Sequence, residues 1–511
     1  MLKEIVIYTP KEARTKDTVA FFWDKVTEGT AEVIYEIYVD GEKEQVTKDT
    51  DVTLENLLPD REYEIFVRAS VGGNPIAESR HEKVRTKKAG KVYSVTDYGA
   101  VGDGRRLNTK AIQQAIDACE EDGTVYVPEG VYVTGALFLK SDMTLYVEKG
   151  ATLLGSTDTA DYPVFTYRNE GRMKPSYAAL INMPMEVPHI GAYEDTQDDE
   201  QEVTPYVGRV VWKNVTICGG GVINANGVAL NQKEISENKG ARGRAVCLRN
   251  IDGLYLYDIT VRQSPMWCLH TIFCNHVSMN RIKIYNKYDE NGKPYGLFNN
   301  DGVDADSCSD VNIFRCMIES QDDTVAIKSG MNEEGRRVGI PSTRIRVTNC
   351  LFSYGFGVVI GSDMSGGVSD VLVQDCVYNN SFSVASIKPP RGRGNVVERV
   401  IYENLTLVNR HREYGDCRWF RGAINIDQFY SEEFFDPNKC EEITEATPAI
   451  RNIVFRNITL DTVGGNAVYM CGLPEKPITG IVMENITAKG IRGIKLVNVD
   501  EITLNQVAVR V

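Results

Sequence analysis

Between Val277 and Val373 the chain repeats one phrase four times: Val277-Ser278-Met279, Val311-Asn312-Ile313, Ile345-Arg346-Val347 and Val371-Leu372-Val373. The pattern is apolar-x-apolar, three residues, then apolar again. It returns at Ile453-Val454-Phe455, Ile481-Val482-Met483 and Ile502-Thr503-Leu504. Alternation of this kind is the period of a half-buried strand. The first four copies start 34, 34 and 26 residues apart, and the last three are separated by 28 and 21. A strand-based unit of twenty-odd residues with loop insertions predicts a solenoid. Leucine-rich repeats are the competing architecture, but the Leu lattice they require is missing and the units show no helical period. The expectation is an all-β chain built on a parallel β-helix. Asn349, Asn404, Asn457 and Asn485 occupy one place in the unit. There they either bond between stacked turns or serve as ordinary turn formers.

Working back from the repeat, Tyr93 opens the solenoid unit, expected over 91–511. Asn108 or Thr109 can cap a helix with the apolar face Ala111, Ile112, Ala115, Ile116 and Cys119. This helix is expected to cover the first coil, because an open solenoid end is a sticky edge. No comparable cap follows Val507. Residues 1–88 read as a small β-sandwich. Val19-Ala20-Phe21-Phe22-Trp23, Tyr35-Glu36-Ile37-Tyr38-Val39 and Tyr63-Glu64-Ile65-Phe66-Val67 are strands, and Leu57-Leu58-Pro59 is a turn. This set resembles a fibronectin type III domain. Arg85 to Gly90 is the expected linker.

Composition sets limits. The 511 residues carry a net charge of −14, which argues against nucleic acid as a partner and obliges any anionic ligand to find a local basic pocket. No apolar run is long enough for a membrane span, and the first residues lack a signal-peptide layout, so the expectation is a cytoplasmic protein. Twelve cysteines in a chain of this size do not suggest a disulfide framework. Cys316, Cys350 and Cys376 recur at one repeat position and are expected to be buried free thiols. No metal site or cofactor is expected.

The chemistry is concentrated between Asn299 and Lys388. Asn299-Asn300-Asp301-Gly302-Val303-Asp304 is followed by Gln321-Asp322-Asp323-Thr324-Val325-Ala326-Ile327-Lys328-Ser329-Gly330. Then come Gly355-Phe356-Gly357-Val358-Val359-Ile360-Gly361-Ser362 and Ser386-Ile387-Lys388. Asp301 and Asp322 are separated by about one solenoid coil and should meet in adjacent coils, roughly 5 Å apart. Asp322 and Asp323 would diverge in a regular strand, so both can face one groove only from a bend. Three carboxylates this close raise at least one pKa, which keeps a proton for general acid work. The plainer readings are turn-forming aspartates or a calcium site.

This motif series, in order and spacing, resembles the polygalacturonase family (glycoside hydrolase family 28) from about Tyr93 onward. The segments Arg168-Asn169-Glu170-Gly171, Ser264-Pro265-Met266-Trp267 and Asn332-Glu333-Glu334-Gly335 resemble its exo-acting bacterial members. The resemblance implies a right-handed parallel β-helix and inverting hydrolysis. It implies Asp322 as general acid, Asp301 and Asp323 as the pair that holds and deprotonates water, and Lys388 as the partner of a substrate carboxylate. Asn299 belongs to the matched motif. Two departures stand out: Phe356 occupies the place of the family's His, and Ser386 that of its Arg. Phe356 offers an apolar face that would suit a deoxy sugar such as rhamnose. Arg391 and Arg393 are candidates for the local basic pocket, with Arg168, His270 and Tyr430 as further substrate-binding candidates. The expected function is end-wise hydrolysis of pectin-derived acidic oligosaccharides, with insertions at 158–206, 331–342 and 410–449 walling off one end. The alternatives are a rhamnogalacturonan-type hydrolase, a catalytically decayed β-helix that binds carbohydrate, and a calcium-assisted lyase.

Overall fold

The computed structural model describes residues 2–29, 31–184, 208, 210–410, 417–430 and 432–511. The insertion at 331–342 lies wholly within these. Residues 185–206 of the first insertion, and 411–416 and 431 of the third, lie outside the described residues.

The repeated phrase stacks in register. Leu256, Met279, Ile313, Val347, Val373, Tyr402, Phe455, Met483 and Leu504 are successive partners in one parallel ladder. This ladder belongs to a 22-stranded sheet running from Val92–Ser94 to Ile502–Arg510. A second, 11-stranded sheet runs from Leu137–Phe138 to Arg492–Val497. Chain coiling through both sheets gives a right-handed parallel β-helix, whose single core is the inward half of each alternation.

Between the two short strands of each coil one residue takes a left-handed conformation. Arg281, Arg315, Asn349, Asp375, Asn404, Asn457 and Asn485 all have φ of 53–55°. Asn and Asp tolerate this region best, because the short polar side chain can bond locally. The amides do more than turn the chain. Asn485 Nδ2 donates to Asn457 Oδ1 (2.9 Å), Asn457 to Asn404 (3.0 Å), and Asn404 to Asp375 Oδ1 (3.1 Å). Cys316, Cys350 and Cys376 follow the same bends, buried and unbridged.

The helix Thr109–Ala118 buries Ile112, Ala115 and Ile116 against the first coil. Asn108 precedes it but does not cap it. Its side chain accepts from Val101 N–H and donates to the carbonyls of Val101 and Arg106, fastening the preceding turn instead.

Residues 3–85 form a β-sandwich of a six-stranded and a three-stranded sheet around Phe21, Trp23, Tyr35, Ile37, Val52, Ile65 and Val67. The Tyr63 hydroxyl accepts the Leu58 N–H at 2.7 Å, fixing the Leu-Pro turn. The sandwich lies along the outside of the 22-stranded sheet and touches five consecutive coils. Tyr257 donates to Glu55 (2.9 Å) and Ser278 to Glu12 (2.8 Å). Arg315 pairs with Asp49 and Asp51, Arg346 with Asp24, and Lys25 with Asp375. Phe22 packs on Phe314 at 5.8 Å. These contacts lie on the long sheet, away from the strands that carry the aspartates.

Candidate active site

The motif aspartates precede neighbouring strands of the 11-stranded sheet, Val303–Asp306 and Val325–Lys328, which pair Val303 with Val325 and Asp306 with Lys328. Asp301, Asp322 and Asp323 sit in the bends before these strands, so the alternation that would separate Asp322 from Asp323 has not begun. Gly302 N–H donates to Asp323 O (2.9 Å) and Gln321 N–H to Asn300 O (3.4 Å). The ladder therefore sets Asp301 level with Asp323, and Asp322 one residue back.

The Gly355-Phe356-Gly357 segment of the next coil closes on these bends. Phe356 N–H donates to Asp322 O (3.2 Å) and Thr324 N–H to Gly357 O (3.0 Å). Gly355 has φ of 60°, and a Cβ there would lie 2.3 Å from both Asp322 O and Ser320 Oγ. Only glycine permits that approach.

Burial and mutual repulsion push the acids up. Asp322 rises to about 6, through desolvation and then the charge of Asp323, opposed by Lys388 and Lys328. Asp301 is raised well above the usual carboxylate range by desolvation and by Asp304 and Asp322. Asp304 rises to about 7 by desolvation. Acids packed this way titrate as a set rather than one by one. Two buried lysines balance them. Lys388 Nζ lies 2.9 Å from Asp323 Oδ2. Lys328 Nζ lies 3.8 Å from Asp301 Oδ2 and 3.6 Å from Asp304 Oδ1, and 4.6 Å from the Trp267 ring centre.

The other residues expected from sequence divide into three groups. Asn299 and Lys388 stand beside the aspartates. Asn299 Oδ1 accepts from Arg242 at 2.7 Å, and Lys388 is 4.7 Å from the ring centres of both Phe420 and Tyr430. Arg393 is one step out, donating to Ser362 O (2.8 Å) and facing Asp363 at 3.4 Å. Asp363 in turn acts on Lys328.

A second group lies packed in the floor or wall. Arg168 is buried on Asp306 (3.2 Å) and Ser307 Oγ (2.8 Å). His270 is fully buried, 3.5 Å from Asp306 and edge-on to Trp267. Burial and then Arg244 lower it to about 3, so it stays neutral. Ser386 is buried and accepts from Asn425 Nδ2 at 2.9 Å. Phe356 stacks on Phe420 with centroids 3.9 Å apart and edges onto Phe382. Phe420 thus covers one of its faces, and the side chain stays partly exposed. Arg391 makes the third group. Its partners are Glu475 (2.8 Å), Glu441 (3.7 Å) and the Lys439 carbonyl, none of them a member of the acid set.

The sequence reading assigned no role to Asp304, Asp306, Lys328, Arg242, Arg244 or Phe420. Asp304 and Asp306 share one face of a strand, and Lys328 is the ladder partner of Asp306. Aligning coils 22 residues apart would have shown this. Arg242, which reaches Asn299 and the Phe298 carbonyl (2.8 Å), carries no sequence signal, because it arrives from a loop. In a molecule of net charge −14, these cations and Lys388 set positive charge among the clustered carboxylates.

Residues 174–508 match the family model described as Glycosyl hydrolases family 28. Residues 92–163 match the one described as Rhamnogalacturonase A/epimerase, pectate lyase-like. The chain is 29% identical over 401 residues to a probable polygalacturonase of Vitis vinifera, covering 77% of this chain and 73% of that one. It is 27% identical over 474 residues to the exo-poly-alpha-D-galacturonosidase of Dickeya chrysanthemi, covering 86% and 74%. Among solved structures, the family 28 exopolygalacturonase of Yersinia enterocolitica superposes with a TM-score of 0.80 at 20% identity, over 100% of this chain and 96% of that one. At that identity the likeness is one of fold.

Proposed function

The chain belongs to glycosyl hydrolase family 28, and from that premise we propose that it is an inverting exo-polygalacturonase, releasing terminal galacturonate from pectin-derived oligosaccharides. The observation that carries the reading is Asp322, a carboxyl held near 6 between Asp323 and Lys388. Such a group still carries a proton in mildly acid solution and can deliver it to the departing glycosidic oxygen. Asp301 and Asp323, level with each other on neighbouring coils, take the water on the opposite side of the bond. An inverting arrangement leaves room for that water between the carboxyls. Lys388 presents its point charge to the sugar carboxylate. Lys328 offsets the negative charge of Asp301 and Asp304 beneath the bond.

End-wise cutting is supported by a continuous wall. The hairpin Val164–Asn169/Arg172–Tyr177 is tied to the helix Asn332–Val338. Met331 N–H donates to Gly171 O (3.0 Å) and Met173 N–H to Glu334 Oε1 (3.0 Å). That helix is tied to loop 390–394 through Arg336 and the Gly392 carbonyl, and through Arg393 and Asn332. The loop is in turn bonded to Ala446 through the N–H groups of Gly392 (3.0 Å) and Gly394 (2.9 Å). Four separate segments are thereby fastened to one another beside the acids.

Digestion of tetragalacturonate, followed by anion-exchange chromatography and proton NMR of the first product, tests the proposal. The expected outcome is monogalacturonate from the first time point, released as the β-anomer. Internal oligomers appearing first, retention of configuration, or an unsaturated product would each overturn it.

A further inference from the structure

The groove continues past the aspartates. The bends that carry Asp301 and Asp323 recur before the later strands of the shorter sheet, Val358–Ile360, Ala385–Ile387 and Gly422–Asp427. There they carry Phe356, Phe382 and Phe420 in place of acids. These rings form one cluster, with Phe382 and Phe420 buried and Trp419, half-buried, packed against them. From the coil of Asp323 to that of Trp419 is three coils, roughly 14 Å at strand spacing. Lys388 lies along this path, against the rings of Phe420 and Tyr430. Tyr430 leads on to Trp419, with centroids 5.5 Å apart.

At the far end of this row stands an arginine. Arg418 Cζ lies 4.3 Å from the Trp419 ring centre, so the indole braces the guanidinium. The Arg418 side chain is 59% exposed, and Glu433, its ion-pair partner at 3.5 Å, is 62% exposed. A pair that open to water is weak, and its carboxylate can be exchanged for another. The nearby arginines are committed elsewhere. Arg421 holds the buried Asp427 at 2.7 Å, and Arg391 holds the buried Glu475 at 2.8 Å.

An acidic oligosaccharide whose end sugar sits at the acids must lay the rest of its length along this row. Every galacturonate in it carries a carboxylate, and Lys388 meets one of them. We propose that Arg418 binds the next, as a specificity-determining residue for the chain beyond the cut, with Trp419 as the positioning residue that holds it. This assignment rests on the exo-polygalacturonase reading for its ligand. A guanidinium can grip a carboxylate through two parallel N–H donors, which the point charge of Lys388 cannot. The site then favours acidic chains that extend past the dimer. Glu433 is the competitor that occupies Arg418 when no such chain is bound.

The test compares digalacturonate with trigalacturonate. Arg418→Gln is expected to raise KM for the trimer roughly tenfold, and to lower the trimer-to-dimer ratio of kcat/KM by a similar factor. Arg418→Lys keeps the charge without the fork and should fall between. Glu433→Gln removes the competitor and is expected to lower KM for the trimer, a gain that a merely structural role for Arg418 would not produce. Calorimetric titration of both oligomers into the Asp322→Asn chain, with and without Arg418→Gln, reads the same preference without turnover. A wild type that releases no galacturonate would therefore sink the hydrolytic reading and leave this measurement standing. Equal losses on dimer and trimer, an unchanged trimer affinity, or a Glu433→Gln chain without the gain would each overturn the role of Arg418.

Discussion

Replacing Asp322 by Asn tests the centre of the mechanism. The amide is isosteric, and its oxygen can still accept the Asp323 N–H now held at 3.0 Å, so the bend should survive. What is lost is the proton. Burial and the Asp323 charge raise Asp322, so the acid set keeps a proton in mildly acid solution, and the variant cannot deliver one from this position. General acid catalysis is worth ~10²–10⁴. A poor leaving group such as a sugar hydroxyl places the loss at the upper end, about 10³ or more in kcat, or ~4 kcal/mol. The assay compares trigalacturonate with a nitrophenyl galacturonide, whose leaving group departs without a proton. The defect should exceed a thousandfold on the first and shrink to within about tenfold on the second. Equal losses on both, or near-normal turnover of trigalacturonate, would refute the role of Asp322.

The wild-type kcat/KM should fall as pH rises through about 6, because the working form of Asp322 is protonated and is lost upward; a profile still rising at pH 7 would contradict this. Lys388→Met should raise KM and also move that alkaline limb to higher pH, since the lysine now opposes protonation of Asp322; the shift is read from pH–rate curves. Gly355→Ala should cost roughly 1–3 kcal/mol of stability, because the new methyl meets Asp322 O and Ser320 Oγ at 2.3 Å in a left-handed conformation. Thermal melting reads this directly, and an unchanged Tm would contradict it.

The fold was legible because burial writes itself into sequence every coil. Val277, Val311, Ile345 and Val371 point into one core and stack in register, so their alternation survives insertions of any length. The asparagine ladder was half legible: the position showed, but its bonding between coils followed only from the left-handed bends. The aspartates were legible as a family motif, though not their exact register, since one residue of bend sets Asp301 level with Asp323. What stayed hidden depends on contacts between distant segments. Arg242 and Arg393 gain their meaning from loops that a linear reading cannot bring together. Arg391, beside Arg393 in a basic-looking loop, turns instead to Glu475. His270 looked available in a chain with five histidines; alternation does set it beside Asp304 on the acid-bearing face, but Trp267 and Asp306 pack around it there and bury it.

The N-terminal sandwich bears on how the molecule comes apart. Stacked repeats fray coil by coil from their ends, because each contacts only its neighbours. Here one small domain grips five successive coils at once, through Tyr257, Ser278, Arg315, Arg346 and Asp375, and the acid-bearing bends leave the middle of that span. It acts as a splint: no single one of these coils can loosen without prising the sandwich from the others. The acid-bearing bends are thereby set in the stretch of solenoid expected to melt last and as one piece.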